Sequence, residues 1–375
     1  MLKFTFTPYD ILFFGSGRPF NRGDVVDSVF PPFPHTFAGA ITSKFKKFAD
    51  INILKTVYGP FIQNDSKIYF PKPQNIYSKR KKMDLKKFFV VKPLKVNLNL
   101  FDPKNTNKPE KIETFPTYIG TENIEAFDGF ISIEGLKKWL NDLEIDKNTI
   151  LGYKDIFEKE PRVGISIDPT FYSIGSRDDA LYRIEFLRLK EDFKLVFWAE
   201  FNFSNGLQNA GLEDYEKVYD FFNSTPRALK LGGEMKNIHY NVEQNDFKEY
   251  IIKNLEIEEK INLNKGNKIK LLFLTYGIFD FYDPSENIPV IEGFKMYSSC
   301  YGNYKIVALN SKNFGTKTKR AYPPGTVFWL ESNNEESIIN SISFLIKNNR
   351  RYYLEEQKGT QDFIRANLLL IRRGD

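Results

Sequence analysis

Apolar and polar positions alternate at the start of the chain, and the alternation then gives way to a continuously apolar run. Leu2–Thr7 alternates and Ile11–Phe14 is apolar throughout, which predicts a strand from Leu2 to Phe14 with one break at Pro8. A helix is predicted next, with Thr36 as its N-cap. Its apolar positions recur at spacings of four, four and three, and so share one face: Phe37, Ile41, Phe45 and Phe48.

A second group of regular patterns lies between residues 181 and 243. Two apolar-rich runs, Leu181–Leu189 and Phe193–Phe203, are joined by a short polar segment, which predicts a β-hairpin. Asp214–Asn223 has helical periodicity, and a strand through Tyr240 and Val242 follows. The order strand, helix, strand, strand, helix, strand is that of a ferredoxin-like module.

The rest of the chain divides into an irregular insertion and a looser repeat of the same plan. Lys72 to about Thr170 is rich in Pro, Asn and Lys, and predicts loops, an extended hairpin and a short helix over Ile133–Leu143. The C-terminal part predicts a helix over Glu335–Lys347, while no first helix is evident there. Its predicted strands are Lys268–Phe279, Tyr304–Leu309, Gly325–Leu330 and Phe363–Ile371.

These elements predict an α+β fold made of two ferredoxin-like, RRM-type modules. The N-terminal domain would span residues 1–243, with an insertion at about 72–175 after its first helix. The C-terminal domain would span residues 244–375. We place the boundary in the acid-rich segment Gln244–Lys260.

Composition narrows the class of protein without identifying a ligand. The 375 residues are 41% hydrophobic and 27% charged, which is typical of a globular protein with room for two cores. The single cysteine, Cys300, excludes an internal disulfide and fits a reducing compartment. The start of the chain does not have a signal-peptide pattern and no long apolar window follows, so we expect a cytoplasmic protein that does not span a membrane.

The net charge of +6 is modest, so the distribution of the basic residues matters more than their number. Basic residues cluster over Lys79–Lys95, over Lys312–Arg320 and over Arg365–Arg373. Such clusters line one polyanion-binding groove if folding brings them together, and the alternative is that they are solvated lysines on loops.

A glycine- and arginine-rich loop follows the first predicted strand. Gly15-Ser16-Gly17-Arg18-Pro19-Phe20 begins like a dinucleotide fingerprint, but Phe20 replaces the third glycine and no helix follows directly, so we reject a nucleotide cofactor. Glycines around Arg18 and Arg22 suit close approach to a phosphate chain, and a plain surface turn is the alternative.

The segment Leu231-Gly232-Gly233-Glu234 lacks the Gly-Lys-Ser/Thr ending of a Walker loop. We interpret Gly232 as a helix C-cap, and Gly233 with Lys236 as a contact to a nucleic-acid backbone.

Catalytic groups are scarce. The only histidines are His35 and His239, and no Cys/His group has metal-ligand spacing. His35 is the one candidate for the general base of a metal-independent ribonuclease, although a packing role is commoner. We therefore expect no catalytic residue, no metal and no cofactor.

Several segments together resemble one family. They are Phe6–Phe14, Gly17–Phe20, Phe30–Ala40, Pro161–Ile165, Ala180–Leu187, Leu231–Glu234 and Pro323–Val327, and they run in order along nearly the whole chain. The family is that of the third subunit of the Cmr complex, a type III-B CRISPR antiviral effector, within the RAMP superfamily. Met235-Lys236 and Gly359-Thr360-Gln361-Asp362 depart from the more glycine-rich sequences of relatives.

The resemblance implies two RRM-type modules and a noncatalytic role in a ribonucleoprotein. Such a subunit holds the 5′ handle of the guide RNA (crRNA) and contacts the large polymerase-domain subunit and the backbone subunit. With the basic clusters, it implies these RNA-binding residues: Gly17, Arg18, Arg22, His35, Thr36, Arg162, Arg183, Gly232, Gly233, Lys236, Lys317, Lys319 and Arg320. The alternatives are a guide-processing endoribonuclease that uses His35 and a pure protein scaffold whose glycines only shape turns.

Overall fold

The computed structural model describes residues 1–15, 25–45, 53–79, 87–97, 112–165, 181–203, 206–255, 268–278, 294–303, 305–308, 318–332, 352–356, 360–364 and 368–373. Within these ranges the chain is mixed α/β and consists mostly of strands. In chain order the strands are β1 (Leu2–Pro8), β2 (Val25–Val26), β3 (Leu54–Asn64), β4 (Lys67–Pro71), β5 (Ile76–Lys79), β6 (Phe88–Val90), β7 (Lys92–Asn97), β8 (Ile112–Thr117), β9 (Ile124–Glu125), β10 (Gly129–Ser132), β11 (Ile150–Gly152), β12 (Phe157–Ile165), β13 (Leu181–Leu189), β14 (Phe193–Phe201), β15 (Ala228–Leu231), β16 (Lys236–Gln244), β17 (Lys268–Phe273), β18 (Gly277–Ile278), β19 (Phe294–Cys300), β20 (Lys305–Ala308), β21 (Thr318–Tyr322), β22 (Val327–Ser332), β23 (Tyr352–Glu356), β24 (Thr360–Ile364) and β25 (Leu368–Arg373).

The helices are short and begin at recognisable signals. They are α1 (Pro34–Ser43), α2 (Ile133–Leu140), α3 (Tyr153–Ile156), α4 (Gly206–Asn209), α5 (Tyr215–Ser224) and α6 (Phe247–Leu255). The Asp214 carboxylate caps α5 by accepting from the backbone N–H of Lys217 at 2.8 Å. Helix α1 starts instead at Pro34, whose fixed φ suits a first helical position, so the predicted N-cap Thr36 lies inside the first turn.

The largest sheet within the described ranges has the strand order β11-β10-β4-β3-β14-β1-β16-β15, and every neighbouring pair is antiparallel. Strand β1 is an interior strand, because Phe4 lies opposite Phe197 of β14 on one side and Val242 of β16 on the other. A second antiparallel sheet has the order β19-β22-β17-β25. The smaller sheets are β12-β13-β2, β18-β21-β20, β6-β5-β9, β7-β8 and β23-β24.

Each face of the main sheet packs against a different core. On one face Phe4 and Phe6 lie under α1 and α5, where Phe37 and Phe222 are fully buried. On the other face Trp198 packs against Phe247 of α6, with ring centroids 5.1 Å apart. This second core also contains residues of α2, β17 and β22, so it joins the N-terminal and C-terminal halves. Helix α6 lies within the segment that we predicted as the domain boundary.

The predicted hairpin of residues 181–203 is wrong in its pairing, although both strands exist. Strand β13 pairs with β12 over nine residues, whereas β14 pairs with β1 and β3. Burial explains the separation, because β14 is almost entirely buried and needs both faces covered, whereas β13 exposes Arg183 and Arg188. The strand that pairs with β14 on its other side is β3, which the sequence analysis missed.

The insertion is less separate than predicted. Strands β10 and β11 extend the main sheet beyond β4, and Trp139 of α2 is fully buried in the second core. The predicted extended hairpin is β7–β8, in which Leu94 lies opposite Phe115. In the C-terminal half the last predicted strand is divided into β24 and β25, and the predicted helix over Glu335–Lys347 lies outside the described residues.

The aromatic core under α5 gives a direct test of this packing. Phe222 contacts Phe4 edge-to-face at a centroid distance of 4.8 Å and Phe45 at 5.5 Å. Because Phe222→Ala leaves a large cavity, we expect it to lower the free energy of unfolding by about 3–5 kcal/mol. Asp220→Ala on the exposed side of the same helix is the control, with an expected change within about 0.5 kcal/mol. Urea denaturation measures both, and equal values for the two variants would contradict this packing.

Candidate nucleic-acid interface

The segment Ile11–Phe14 connects three parts of the candidate site. Leu12 exchanges two backbone hydrogen bonds with Leu187 of β13, each 2.8 Å long. The carbonyl of Phe13 accepts from the N–H of Gly233 at 2.8 Å. The N–H of Phe14 donates to the Ser28 hydroxyl at 2.9 Å. We predicted that this segment continues the first strand. Instead it links the main sheet to the β12-β13-β2 sheet.

Both glycines of the β15–β16 connection are required by the approach of Phe13. Gly232 has φ +76°, and a Cβ atom there would lie 2.3 Å from the Phe13 carbonyl oxygen. A Cβ atom on Gly233 would lie 2.5 Å from Cδ1 of Phe13. The prediction that Gly232 is a helix C-cap is wrong, because α5 ends at Ser224 and β15 comes between. This packing against Phe13 accounts for both glycines, and Gly232 also lines an adjoining groove.

Arg162 and Lys236, two of the predicted site residues, meet over one aromatic ring. The guanidinium of Arg162 lies 5.7 Å from the ring centroid of Phe186, and the Lys236 ammonium lies 5.1 Å from it. Phe186 in turn packs against Phe13 at a centroid distance of 5.7 Å. The cluster therefore holds two cations over Phe186, whose neighbour Phe13 contacts Gly233.

Glu160 moderates the charge of this cluster. Its carboxylate accepts from Arg162 Nε at 2.9 Å and from Arg188 Nε at 2.9 Å, and these hydrogen bonds lower the pKa of Glu160. Arg188 also forms an ion pair with Asp10 at 3.0 Å. The cations are therefore oriented by acids, and the surface is weakly rather than strongly positive.

A groove of about 610 Å³ lies between α1 and the edge of the main sheet at β15. Thr36 and Gly232, both predicted as site residues, line the same groove. Its other polar lining residues are Ser43, Lys44, Lys230 and Asn237, and its small ones are Gly39, Ala40 and Ala228. The lining contains two lysines and, among the described residues, no carboxylate. The groove thus offers hydroxyl, amide and ammonium groups beside an accessible backbone.

The two lysines have different positions. Lys44 is anchored, because its Nζ donates to the Thr225 hydroxyl at 3.0 Å and to the Pro226 carbonyl at 2.5 Å, over the ring of Tyr240. It holds the end of α1 against the α5–β15 connection. Lys230 lies on the edge strand with its side chain exposed, and so it is the cation more accessible to a ligand in the groove.

His35 is not among the residues that line the groove. Its imidazole stacks on Phe33 at a centroid distance of 5.4 Å, and Phe33 packs on Tyr276 at 4.1 Å. The Tyr276 hydroxyl donates to the Pro31 carbonyl at 2.9 Å, which fixes the start of α1 against the C-terminal half. Burial lowers the pKa of His35 to about 4, so the imidazole is neutral at pH 7.

Arg183 lies apart from the Arg162 cluster. In the register of β12 and β13, Arg183 is opposite Val163 while Arg162 is opposite Ile184, so the two arginines are on opposite faces of this sheet. On its other side Arg183 is paired with Val25 of β2. Both valines are 67% exposed, so Arg183 sits between two exposed apolar side chains.

Of the remaining predicted residues, four lie outside the described ranges and two lie on strand β21. Gly17, Arg18, Arg22 and Lys317 lie outside them. The chain is described up to Gly15, next to the segment bound by Gly233, and again from Val25, which pairs with Arg183. Lys319 and Arg320 lie on β21, paired with Val307 and Ile306.

Gly39, Lys44, Lys230 and Asn237 line the groove but were not predicted. Gly39 has a readable signal, since a glycine on the polar side of an amphipathic helix marks a position where a close approach is useful. Lys230 and Asn237 have no such sequence signal, because only the pairing of β15 with β16 brings them to α1.

Among the residues that the structure describes, no group of acids, histidines and cysteines has a metal-binding arrangement. None of the helices in the same ranges has the length and apolar character needed to cross a membrane.

Comparison with known proteins identifies the family. Residues 4–341 match the model of the CRISPR-associated protein family Cas_Cmr3, so the chain belongs to this family, as the resemblance in the sequence indicated. Membership makes it a subunit of a type III CRISPR effector, of the Cmr (III-B) class. A search of curated proteins gave no significant match.

Solved structures of type III effectors are distantly similar. A chain of the type III-B Cmr-beta complex bound to cognate target RNA and AMPPnP is 15% identical, with 95% of this chain and 90% of that chain covered and a TM-score of 0.47. A chain of Cmr-beta bound to cognate target RNA is 16% identical, with 91% and 89% covered and a TM-score of 0.48. A chain of the Csm3-Csm4 subcomplex of a type III-A interference complex is 13% identical, with 89% and 93% covered and a TM-score of 0.40.

A pair of glycine substitutions tests whether the close approach at Gly232 is required. Gly232→Ala meets both an unfavourable φ and the Phe13 carbonyl, so we expect a loss of roughly 2–5 kcal/mol in the free energy of unfolding. Gly211 has a similar φ of +73° with open space around it, so Gly211→Ala is the matched control. Its expected loss is about 1–2 kcal/mol. Chemical denaturation compares the two, and equal losses would show that the contact with Phe13 is unimportant.

Proposed function

We propose that this chain is the noncatalytic subunit that holds the 5′ handle of the guide RNA in a type III-B effector, and that the handle lies in the groove between α1 and β15. The observation that supports this most is that Thr36 and Gly232, chosen from the sequence alone, line one groove together with Lys230 and Lys44, and that its described lining residues include no carboxylate. Phosphate oxygens accept hydrogen bonds from hydroxyl, amide and ammonium groups, all of which the groove presents.

The small residues of the groove explain how a backbone fits there. Gly39 is exposed, and no heavy atom lies within 4 Å of the position that its Cβ would occupy. The surface remains free of bulky side chains across to the sheet, through Ala40, Ala228 and Gly232. A sugar-phosphate chain therefore reaches the helix backbone without displacing a side chain. Arg18 and Arg22 belong to the same proposal, because the nearest described residues on either side of them include Phe13, which is bound by Gly233, and Val25, which pairs with Arg183.

The strand order supports two ferredoxin-like modules. In the main sheet β16-β1-β14-β3 reads fourth, first, third, second strand, with α1 after the first strand and α5 after the third. The second sheet has the same order, β25-β17-β22-β19. We therefore propose that the chain contains the plan twice, with the insertion between the second and third strands of the first module.

The surroundings of His35 support a noncatalytic role. An imidazole with a pKa of about 4 is a weak proton acceptor at neutral pH, and its ring is engaged by Phe33. We interpret His35 as part of the packing that positions α1.

A different surface suits the protein partners. The row Val163–Arg183–Val25 presents exposed β-branched side chains on both sides of an arginine, and no described residue forms an ion pair with that arginine. Apolar area around an arginine is typical of the centre of a protein interface. We propose that this row contacts the large or the backbone subunit, and that Arg183 therefore binds protein rather than RNA.

The RNA-binding proposal predicts a charge effect at one helix position. Gly39→Glu places an anion in the groove, and we expect it to weaken binding of a handle RNA about tenfold or more, which corresponds to at least ~1.4 kcal/mol. Gly39→Gln is the matched control, because it adds a side chain of the same size without the charge, so it should weaken binding less than Gly39→Glu does. Arg18→Ala with Arg22→Ala should weaken binding while the protein still folds. Fluorescence anisotropy at matched salt measures these affinities.

Two results, one from these affinities and one from a cleavage assay, would overturn the proposal. One is unchanged affinity in both Gly39→Glu and the double arginine variant. The other is cleavage of a repeat RNA by the wild-type chain that disappears in His35→Ala, which would favour the endoribonuclease alternative. A scaffold that does not bind RNA would give the first result.

The partner surface has its own test. Val163→Asp adds a charge to an exposed strand position, so we expect the chain to fold and to bind handle RNA normally while retaining several-fold less of its partner subunits. Pull-down of the tagged chain from a reconstituted complex measures this retention. Leu143→Asp, at another exposed apolar site, is the control. Equal recovery with both variants would remove the row from the interface.

A further inference from the structure

The face of the main sheet opposite α1 and α5 is covered along only part of its width by described residues. Over β14, Trp198 is buried beneath α6. Over β1, β16 and β15 the same face carries polar side chains instead. Thr7 and His239 are half-buried there, and Asn241 is exposed.

The register of the three strands arranges these side chains in rows. Thr7 lies opposite His239, which lies opposite Ala228. In the next row outward Asn237 lies opposite Lys230. Tyr9 follows two residues after Thr7, its N–H donates to the Asn237 carbonyl at 3.4 Å, and its side chain is 66% exposed. In the row inward Asn241 accepts from Arg227 Nη1 at 3.4 Å. We call this surface, Tyr9, Lys230, Asn237, His239 and Asn241, the open face.

The chemistry of the open face suits a single-stranded nucleic acid. Amide and imidazole groups hydrogen-bond base edges, an exposed tyrosine stacks on a base, and a lysine binds phosphate. Glu243, which lies two residues beyond Asn241 on β16, is paired with Lys3 at 3.3 Å, and Asp10, which follows Tyr9, is paired with Arg188 at 3.0 Å. Apart from Tyr9, none of the five residues is a large apolar one, and this distinguishes the open face from the valine-lined row proposed for protein.

The open face is also continuous with the groove. Lys230 and Asn237 belong to both, because β15 is the edge strand and its side chains can be approached from either side. A strand of RNA in the groove therefore has a polar path around the edge of the sheet.

We propose that the open face binds the RNA segment that continues from the groove, with one base stacked on Tyr9 and a neighbouring base hydrogen-bonded by His239 and Asn237. This inference rests on the proposed function and extends it to a second surface. The open face contacts the bases of the RNA, whereas the groove contacts its sugar-phosphate backbone.

The test is Tyr9→Ala and Tyr9→Phe in the full chain, with a fluorescent RNA carrying the repeat-derived handle and its continuation. Loss of one stacked base should weaken binding about 5- to 150-fold in Tyr9→Ala, by roughly 1–3 kcal/mol. Tyr9→Phe should retain the affinity, and the salt dependence should be unchanged because no phosphate contact is lost. A 5-iodouridine at the stacked position should crosslink to Tyr9.

The outcomes separate this inference from the groove. If Gly39→Glu weakens binding and Tyr9→Ala does not, the open face is overturned and the groove stands. If Tyr9→Ala weakens binding and Gly39→Glu does not, the open face stands and the groove is overturned. If neither variant changes the affinity, both fall. Crosslinking of the Tyr9 position to another subunit in the assembled complex would also overturn the open face.

Discussion

The hydrogen bond from the Gly233 N–H to the Phe13 carbonyl is the contact on which the arrangement of the site depends. It joins the β15–β16 connection to the segment that leaves the first strand. A Cβ atom would lie against the Phe13 carbonyl oxygen at Gly232 and against the Phe13 ring at Gly233, so glycine suits both positions of the connection. The same approach brings Phe13 against Phe186, the ring over which Arg162 and Lys236 lie. A glycine pair that resembles a ligand-binding loop thus acts by positioning the residues around it.

Electrostatics are compatible with the RNA-binding role that we propose for a chain of modest net charge. Its cations are partly neutralised by acids that orient them, as Glu160 does for Arg162 and Arg188. A long, strongly positive surface would bind any polyanion, whereas a few oriented donors in a narrow groove favour one chain path. Specificity would then come from shape and from base contacts on the sheet rather than from the amount of charge.

Periodicity in the sequence was sufficient for elements whose partners are local. Helix α5 was predicted to within one residue at each end, and a strand was correctly predicted through Tyr240 and Val242, because capping by Asp214 and the alternation through Tyr240 are local signals. Strand β3 was not predicted from the sequence, and its Gly59-Pro60 dipeptide has the composition of a turn. In the structure Gly59 has φ +105°, and the pairing with β14 shifts register there, so the dipeptide forms an irregularity within a long strand.

The wrongly predicted hairpin of β13 and β14 has a different cause. Strand pairing depends on which faces of the strands are covered, and not only on the turn between them. The same limit applied to the site: Thr36 and Gly232 were found as motifs, whereas Lys230 and Asn237 become site residues only through the sheet edge.

The most direct measurement is a cryo-EM structure of the complete effector assembled on this chain with its guide RNA, at a resolution that shows individual phosphates. We expect the 5′ handle to pass between α1 and β15, with phosphates within hydrogen-bonding distance of Thr36 or Lys230 and with a sugar over Gly39. A handle bound elsewhere on the chain, with the groove filled by protein side chains or by solvent, would contradict this interpretation.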